Sequence, residues 1–186
     1  MDEKKIIALF PRIQEIECES LRAQSISALQ AAIAQGGWSE QTVALAPVTI
    51  GWKNCPSNLI EHINAVVEAC MINYALLSPY YAANSVVLDR DTVLCGALLH
   101  DLGKFTEFTL KDGCVEHSDT AYLMRHPLAG ALIASKAGLP DKIVHLIATH
   151  SFEGSASNHT AESSFVRTLD DFVFKCTVSG LEKVEK

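Results

Sequence analysis

The sequence predicts an all-α, single-domain helical bundle, with room for one small β-hairpin near residues 106–119. Three observations predict this. Apolar residues recur at spacings of three and four along most of the chain, whereas period-two alternation is weak. Helix caps and stops punctuate those segments. The chain has 186 residues, 48% hydrophobic and 20% charged, which is enough to bury one sizeable core.

Taken in order, residues 2–35 read as one or two helices broken near Glu19-Ser20, with Gly36-Gly37 as the stop. The stretch Ala46–Ser57, carrying Pro47, Gly51 and Pro56, reads as a loop with at most a short extended piece, lying near the site. Leu59, Ile63, Val66, Cys70 and Tyr74 then form an amphipathic stripe behind a cap at Ser57 or Asn58. His62 occupies a place on that stripe where an apolar residue is expected. Val93, Leu94, Ala97 and Leu98 make a second, buried helix that ends in His100-Asp101, with Gly103 placed just past its end.

The pair Asp112-Gly113 favours a tight turn and so a hairpin within Thr106–Asp119. Pro127 opens a helix through Ala129, Ile133 and Ala134 to Lys136, closed by Gly138, so His126 stands at or just before its start. Pro140 and Asp141 open the helix that carries His145 and His150. A Gly/Ser loop spans Ser151–Asn158; Thr160 caps the last long helix, whose apolar stripe is Phe165, Leu169, Phe172 and Val173, flanked by Asp170. The resulting organisation is an N-terminal packing segment at 1–57, a core at 58–175 and a charged tail at 176–186, within one compact domain.

A formal net charge of −7 offers no basic surface for a stable nucleic-acid complex, although a short oligonucleotide substrate stays open. The N-terminus lacks the apolar region of a signal peptide, and no segment approaches the ~18 apolar residues that span a bilayer, so a soluble, cytoplasmic protein with no membrane partner is expected. The six cysteines, Cys18, Cys55, Cys70, Cys95, Cys114 and Cys176, show no C-x-x-C and no dense pairing, which fits free thiols; Cys70 and Cys95 read as small core residues. A positive mean hydropathy of +0.16 leaves room for a homodimer interface.

The chemistry lies in six side chains: His62, the doublet His100-Asp101, His126, His150 and Asp170. Imidazole and carboxylate suit Fe, Mn, Zn and Ni, and six are more than one tetrahedral ion uses. Two ions sharing a carboxylate would use them all. On a helix, His145 and His150 lie roughly 140° apart, so only one faces a site, and His150 is preferred. His117 and His159 lie in loop-like sequence and read as solvated.

The run Leu98-Leu99-His100-Asp101-Leu102-Gly103-Lys104, together with the ordered set of six, resembles the HD-domain metal-dependent phosphohydrolase superfamily. The stretch from His145 through Glu162 to Asp170 is similar to its oligonucleotide-cleaving, exonuclease-like branch, and that spacing favours Asp170 over Asp171. The resemblance implies an HD-domain helical bundle holding one or two divalent transition metal ions, with His62, His100, Asp101 and Asp170 on the first, and His126 and His150 on the second. Asp101 would bridge, because one carboxylate has two oxygens. It also implies hydrolysis of phosphate esters by a metal-bound hydroxide, with Asp101 and Lys104 as catalytic residues.

The implied substrate is a small phosphorylated metabolite, nucleotide or short oligonucleotide. Lys104 would reach its phosphate or instead complement a helix C-terminus, while Arg125 and Ser151, with Thr149, flank ligands and could touch it. Relatives with all six positions also include dinuclear-iron oxygenases acting on a small polyol or phosphonate. A third class is a non-catalytic, metal-stabilised ligand-binding module. Ligand count does not separate these alternatives.

Overall fold

The computed structural model describes residues 1–184. Among the described residues eight α-helices are present: α1 (Glu3–Leu9), α2 (Glu19–Gln35), α3 (Leu59–Ala83), α4 (Arg90–Leu99), α5 (Lys104–Glu107), α6 (His126–Lys136), α7 (Asp141–Thr149) and α8 (Ala161–Thr177). One antiparallel hairpin, β1 (Phe108–Lys111) and β2 (Cys114–His117), interrupts them. Asp112 (φ 52°) and Gly113 (φ 80°) form its two-residue turn, the left-handed pair that matches strand twist.

Local chemistry sets the helix starts. Asn58 accepts from Glu61 N at 2.9 Å while Glu61 accepts from Asn58 N at 3.0 Å, a reciprocal capping box that opens α3. Asp89 accepts from Thr92 N at 2.7 Å to open α4, and Thr160 accepts from Ser163 N at 3.1 Å to open α8. The N-terminal region comes in three pieces rather than two. Pro11 starts a separate tight turn over residues 11–15, and Glu19-Ser20 begin α2 instead of breaking a helix.

α4 runs through the centre of the bundle, packed by α2, α3, α7 and α8, and every residue from Thr92 to Leu99 is buried. Ile6, Phe10, Ile13, Leu29 and Ile33 from the N-terminal segment share one apolar cluster with Leu59, Leu94, Leu98 and Phe105. Each such side chain contributes about 1.5–3 kcal/mol on leaving water. Trp38 Nε1 donates to Phe105 O at 2.8 Å, so the N-terminal segment also fixes α5, just after the His-Asp doublet.

Gly103 is needed for a different reason from the expected left-handed helix stop. Its φ is −71°, and a Cβ there would lie 2.0 Å from His126 O and 2.6 Å from Gly130 N. Only glycine allows the α4–α5 link to press against the start of α6. α3 runs to Ala83 and includes Pro79. One further expectation changes: Phe172, assigned to the apolar stripe of α8, is 61% exposed. Among the described residues, no helix is long and apolar enough to cross a membrane.

Candidate metal centre

All six predicted side chains meet at one place in the bundle. α3 brings His62, the end of α4 brings His100 and Asp101, the first residue of α6 is His126, the cap of α7 is His150, and α8 brings Asp170. Their donor atoms form two groups: His62, His100 and Asp170 in one, and Asp101, His126 and His150 in the other.

Asp101 joins the groups. Its Oδ2 lies 3.4 Å from both His62 Nε2 and His100 Nε2, while its Oδ1 lies 3.6 Å from His126 Nε2 and 3.4 Å from His150 Nε2. Asp170 Oδ1 completes the first group at 3.0 Å from His62 Nε2 and 3.5 Å from His100 Nε2.

The donor set fits divalent cations on three observations. His62 Nε2 and His100 Nε2 face each other at 3.4 Å in a buried setting, where a shared cation satisfies both lone pairs. Asp101 Oδ2 is buried with no hydrogen-bond partner, and Lys104 Nζ, 2.7 Å away, is placed as an ion-pair partner without hydrogen-bond geometry. Three of the candidate imidazoles have their Nδ1 occupied: His100 donates to Ala97 O at 2.8 Å, His150 to Ile147 O at 2.7 Å and His126 to Glu107 Oε2 at 2.7 Å. Each bond turns Nε2 toward the centre as the free donor.

Electrostatics follow from this crowding. Burial works against the Asp101 carboxylate, but the Lys104 ammonium and His100 outweigh it and hold the carboxyl well below the usual aspartate range. Asp170 is likewise lowered, burial being overcome by His100 and by its hydrogen bond with His62. Burial opposes the charge on His100, yet Asp101 and Asp170 raise it to about 10. His62 and His126 are lowered by burial, which favours the neutral, ligating imidazole.

Glu107 is the functional-looking residue that sequence reasoning missed. It is 2% exposed and accepts from both His126 Nδ1 and the Arg125 guanidinium. The only signal was an acid between the apolar Phe105 and Phe108. Arg125 also donates to Glu153 at 3.0 Å, and Ser151 donates to the same carboxylate. His159 is not solvated as expected: its Nδ1 lies 3.1 Å from Ser163 Oγ and its Nε2 3.1 Å from Gly154 O. His145 stays outside the cluster, and Asp171 pairs with Lys175 at 2.6 Å. The cluster opens into a cavity of about 810 Å³ lined by Asp101, Lys104, Arg125, His126, His150 and Asp170 among others.

Comparison with known proteins agrees with this centre. The HD domain family model matches residues 61–173, a span that contains all six ligand candidates. A dihydroneopterin 2',3'-cyclic phosphate phosphodiesterase from Methanocaldococcus jannaschii is 28% identical over 127 residues, covering 67% of this chain and 49% of that protein. The chain thus spans about half the length of this curated relative. No solved structure matches it. With the family model covering well over half of the sequence, the chain belongs to the HD domain family.

Proposed function

We propose that this protein is a metal-dependent hydrolase of phosphate esters. The observation that carries the reading is the division of Asp101, whose Oδ2 serves the His62–His100 side and whose Oδ1 serves the His126–His150 side. That arrangement suits two cations sharing one carboxylate. When bound, such ions supply Lewis acidity toward phosphoryl oxygens and lower the pKa of water.

The chain's own residues do the rest. His62, His100, Asp101 and Asp170 would hold one ion, and His126 and His150, with Asp101, the other. Glu107, Ala97 O and Ile147 O orient three of the imidazoles. Lys104, beside Asp101 and 5.8 Å from the Phe174 ring centroid, places a positive charge at the cavity floor that suits a phosphate oxygen. Arg125 and Ser151 sit on the cavity wall, where Glu153 holds both. Their approach to substrate would exchange that carboxylate for a phosphate.

The relative's activity on a cyclic phosphate makes phosphodiesters the first class to test. The experiment is an assay of phosphomonoesters, linear diesters and 2',3'-cyclic phosphates on protein of determined metal content, with Asp101→Ala as control. Hydrolysis lost together with metal in D101A supports the reading. Wild-type-like turnover in that variant sinks it. Iron-dependent O₂ uptake with a polyol or phosphonate instead supports the oxygenase alternative, and tight ligand binding without turnover supports a binding module.

A further inference from the structure

The cavity over the metal centre, about 810 Å³, is far larger than one phosphoryl group requires. Four Lys or Arg side chains line it, and three are neutralised within the chain. Lys104 is paired with Asp101, Arg125 with Glu107 and Glu153, and Lys175 with Asp171. Arg167 has no carboxylate partner among the described residues.

Its position is nonetheless fixed. Arg167 sits on α8 three residues before Asp170, a spacing that puts both on one helix face. Its Nη1 donates to Thr149 O at 3.4 Å and lies 3.1 Å from His159 Nε2, and its Nη2 donates to Ser155 Oγ at 2.8 Å. Those contacts leave Nε–H and the second Nη2 proton without an acceptor among the described residues, and Nε is not among the buried orphan atoms. Nε and Nη2 form the edge with which a guanidinium grips two oxygens of one anion. Arg167 is therefore held by the loop after His150 while Nε–H and one Nη2 proton keep no acceptor among the described residues, on a side chain that lines the cavity.

We infer that Arg167 is an anion subsite, separate from the metal centre, and that the preferred ligand of this cavity carries a second anionic group, phosphate or carboxylate, besides the one at the metals. In its application to substrate, the inference rests on the phosphate-ester reading. The subsite itself is tested without turnover. It differs from the role of Lys104, which faces the bridging carboxylate.

The experiment measures binding of three non-hydrolysable series to the metal-containing protein: alkylphosphonates, α,ω-bisphosphonates and ω-phosphonocarboxylates with spacers of increasing length. The readout is the affinity ratio of each dianionic probe to the alkylphosphonate of equal length. At the spacer that reaches Arg167, the expected ratio is on the order of tenfold, the worth of a charge-assisted bidentate contact. It collapses toward one in R167Q and is partly retained in R167K, which keeps the charge and loses the fork. The better dianionic series identifies phosphate or carboxylate as the second group. A ratio near one at every length in the wild type, or a ratio that survives R167Q, overturns the inference. Because no bond is cleaved, a protein that shows the ratio yet hydrolyses no ester rejects the proposed function and leaves the subsite standing.

Discussion

Glu107 accepts a hydrogen bond from His126 Nδ1 at 2.7 Å, linking the first turn of α6 to the last residue of α5 through a buried carboxylate. The bond leaves His126 Nε2 free to face Asp101 Oδ1. Burial works against the Glu107 charge, but His126 and Arg125 outweigh it and hold its carboxyl below the usual glutamate value. Replacing a partner of this kind typically weakens metal binding by about 10- to 100-fold. On the two-cation reading proposed above, Glu107→Gln is expected to weaken one of two binding events in a metal titration and leave the His62–His100–Asp170 event near its wild-type affinity. Equal weakening of both would contradict this role.

On the reading proposed above, Lys104 and a bound cation would serve the same carboxylate. Lys104→Met leaves Asp101 buried and poorly compensated in the metal-free protein, a change that costs about 3 kcal/mol for a broken buried pair. Metal bound at Asp101 would supply the missing charge. The gap in Tm between wild type and K104M should be wide after chelation and narrow with metal restored. An equal gap in both states would show that Lys104 acts by packing alone.

Acid should weaken the cap of the helix that presents His100 and Asp101. Burial works to raise the Asp89 carboxyl, but its bonds to the Thr92 hydroxyl and N–H, together with the Lys142 ammonium, outweigh this, and its pKa is lowered. A depressed carboxyl stabilises the fold above its unfolded value of about 3.9, and that contribution is lost as pH falls through the lower folded value. Asp89→Ala should cost about 1 kcal/mol near neutral pH. The difference in stability from wild type should shrink as unfolding is measured below about pH 4. A constant difference across that range would remove charge from the account.

Thiol reactivity should divide the cysteines by burial. Burial pushes the Cys70 and Cys95 thiols up to about 12, whereas Cys18, Cys114 and Cys176 are exposed. A thiol reagent should titrate the exposed three in the native protein and reach Cys70 and Cys95 only on unfolding. Native-state labelling of Cys95 at the rate of Cys114 would contradict the packing around α4.

Ile72, Leu76 and Tyr80 stand four residues apart on α3 and are 57%, 70% and 64% exposed, in a stretch without a charged residue from Met71 to Leu88. A surface of this kind on a chain of net charge −7 suits contact with a second copy, because it adds no like-charge repulsion. Sedimentation should find a dimer in the wild type and a monomer in Leu76→Glu with unchanged helicity. A monomeric wild type would end the dimer expectation.

The sequence by itself determined the long helices of the core and which six side chains converge. Caps, Pro and Gly act within a few residues, and a His or Asp on a buried helical face must find a polar partner or a cation. Asp112-Gly113 likewise announced its hairpin locally. Phe172 could have been corrected from the same geometry: it lies two residues, roughly 200°, around α8 from Asp170, so it turns outward when Asp170 turns inward.

What the chain could not declare locally was partnership between elements. His62 meets Asp170 across 108 residues, and Glu107 reaches His126 across 19. Periodicity tells which face of a helix is buried but not what lies opposite. Only packing decided that the two oxygens of Asp101 face different histidine pairs, that Glu153 restrains Arg125 and Ser151, and that Arg167 lines the cavity with no carboxylate partner among the described residues.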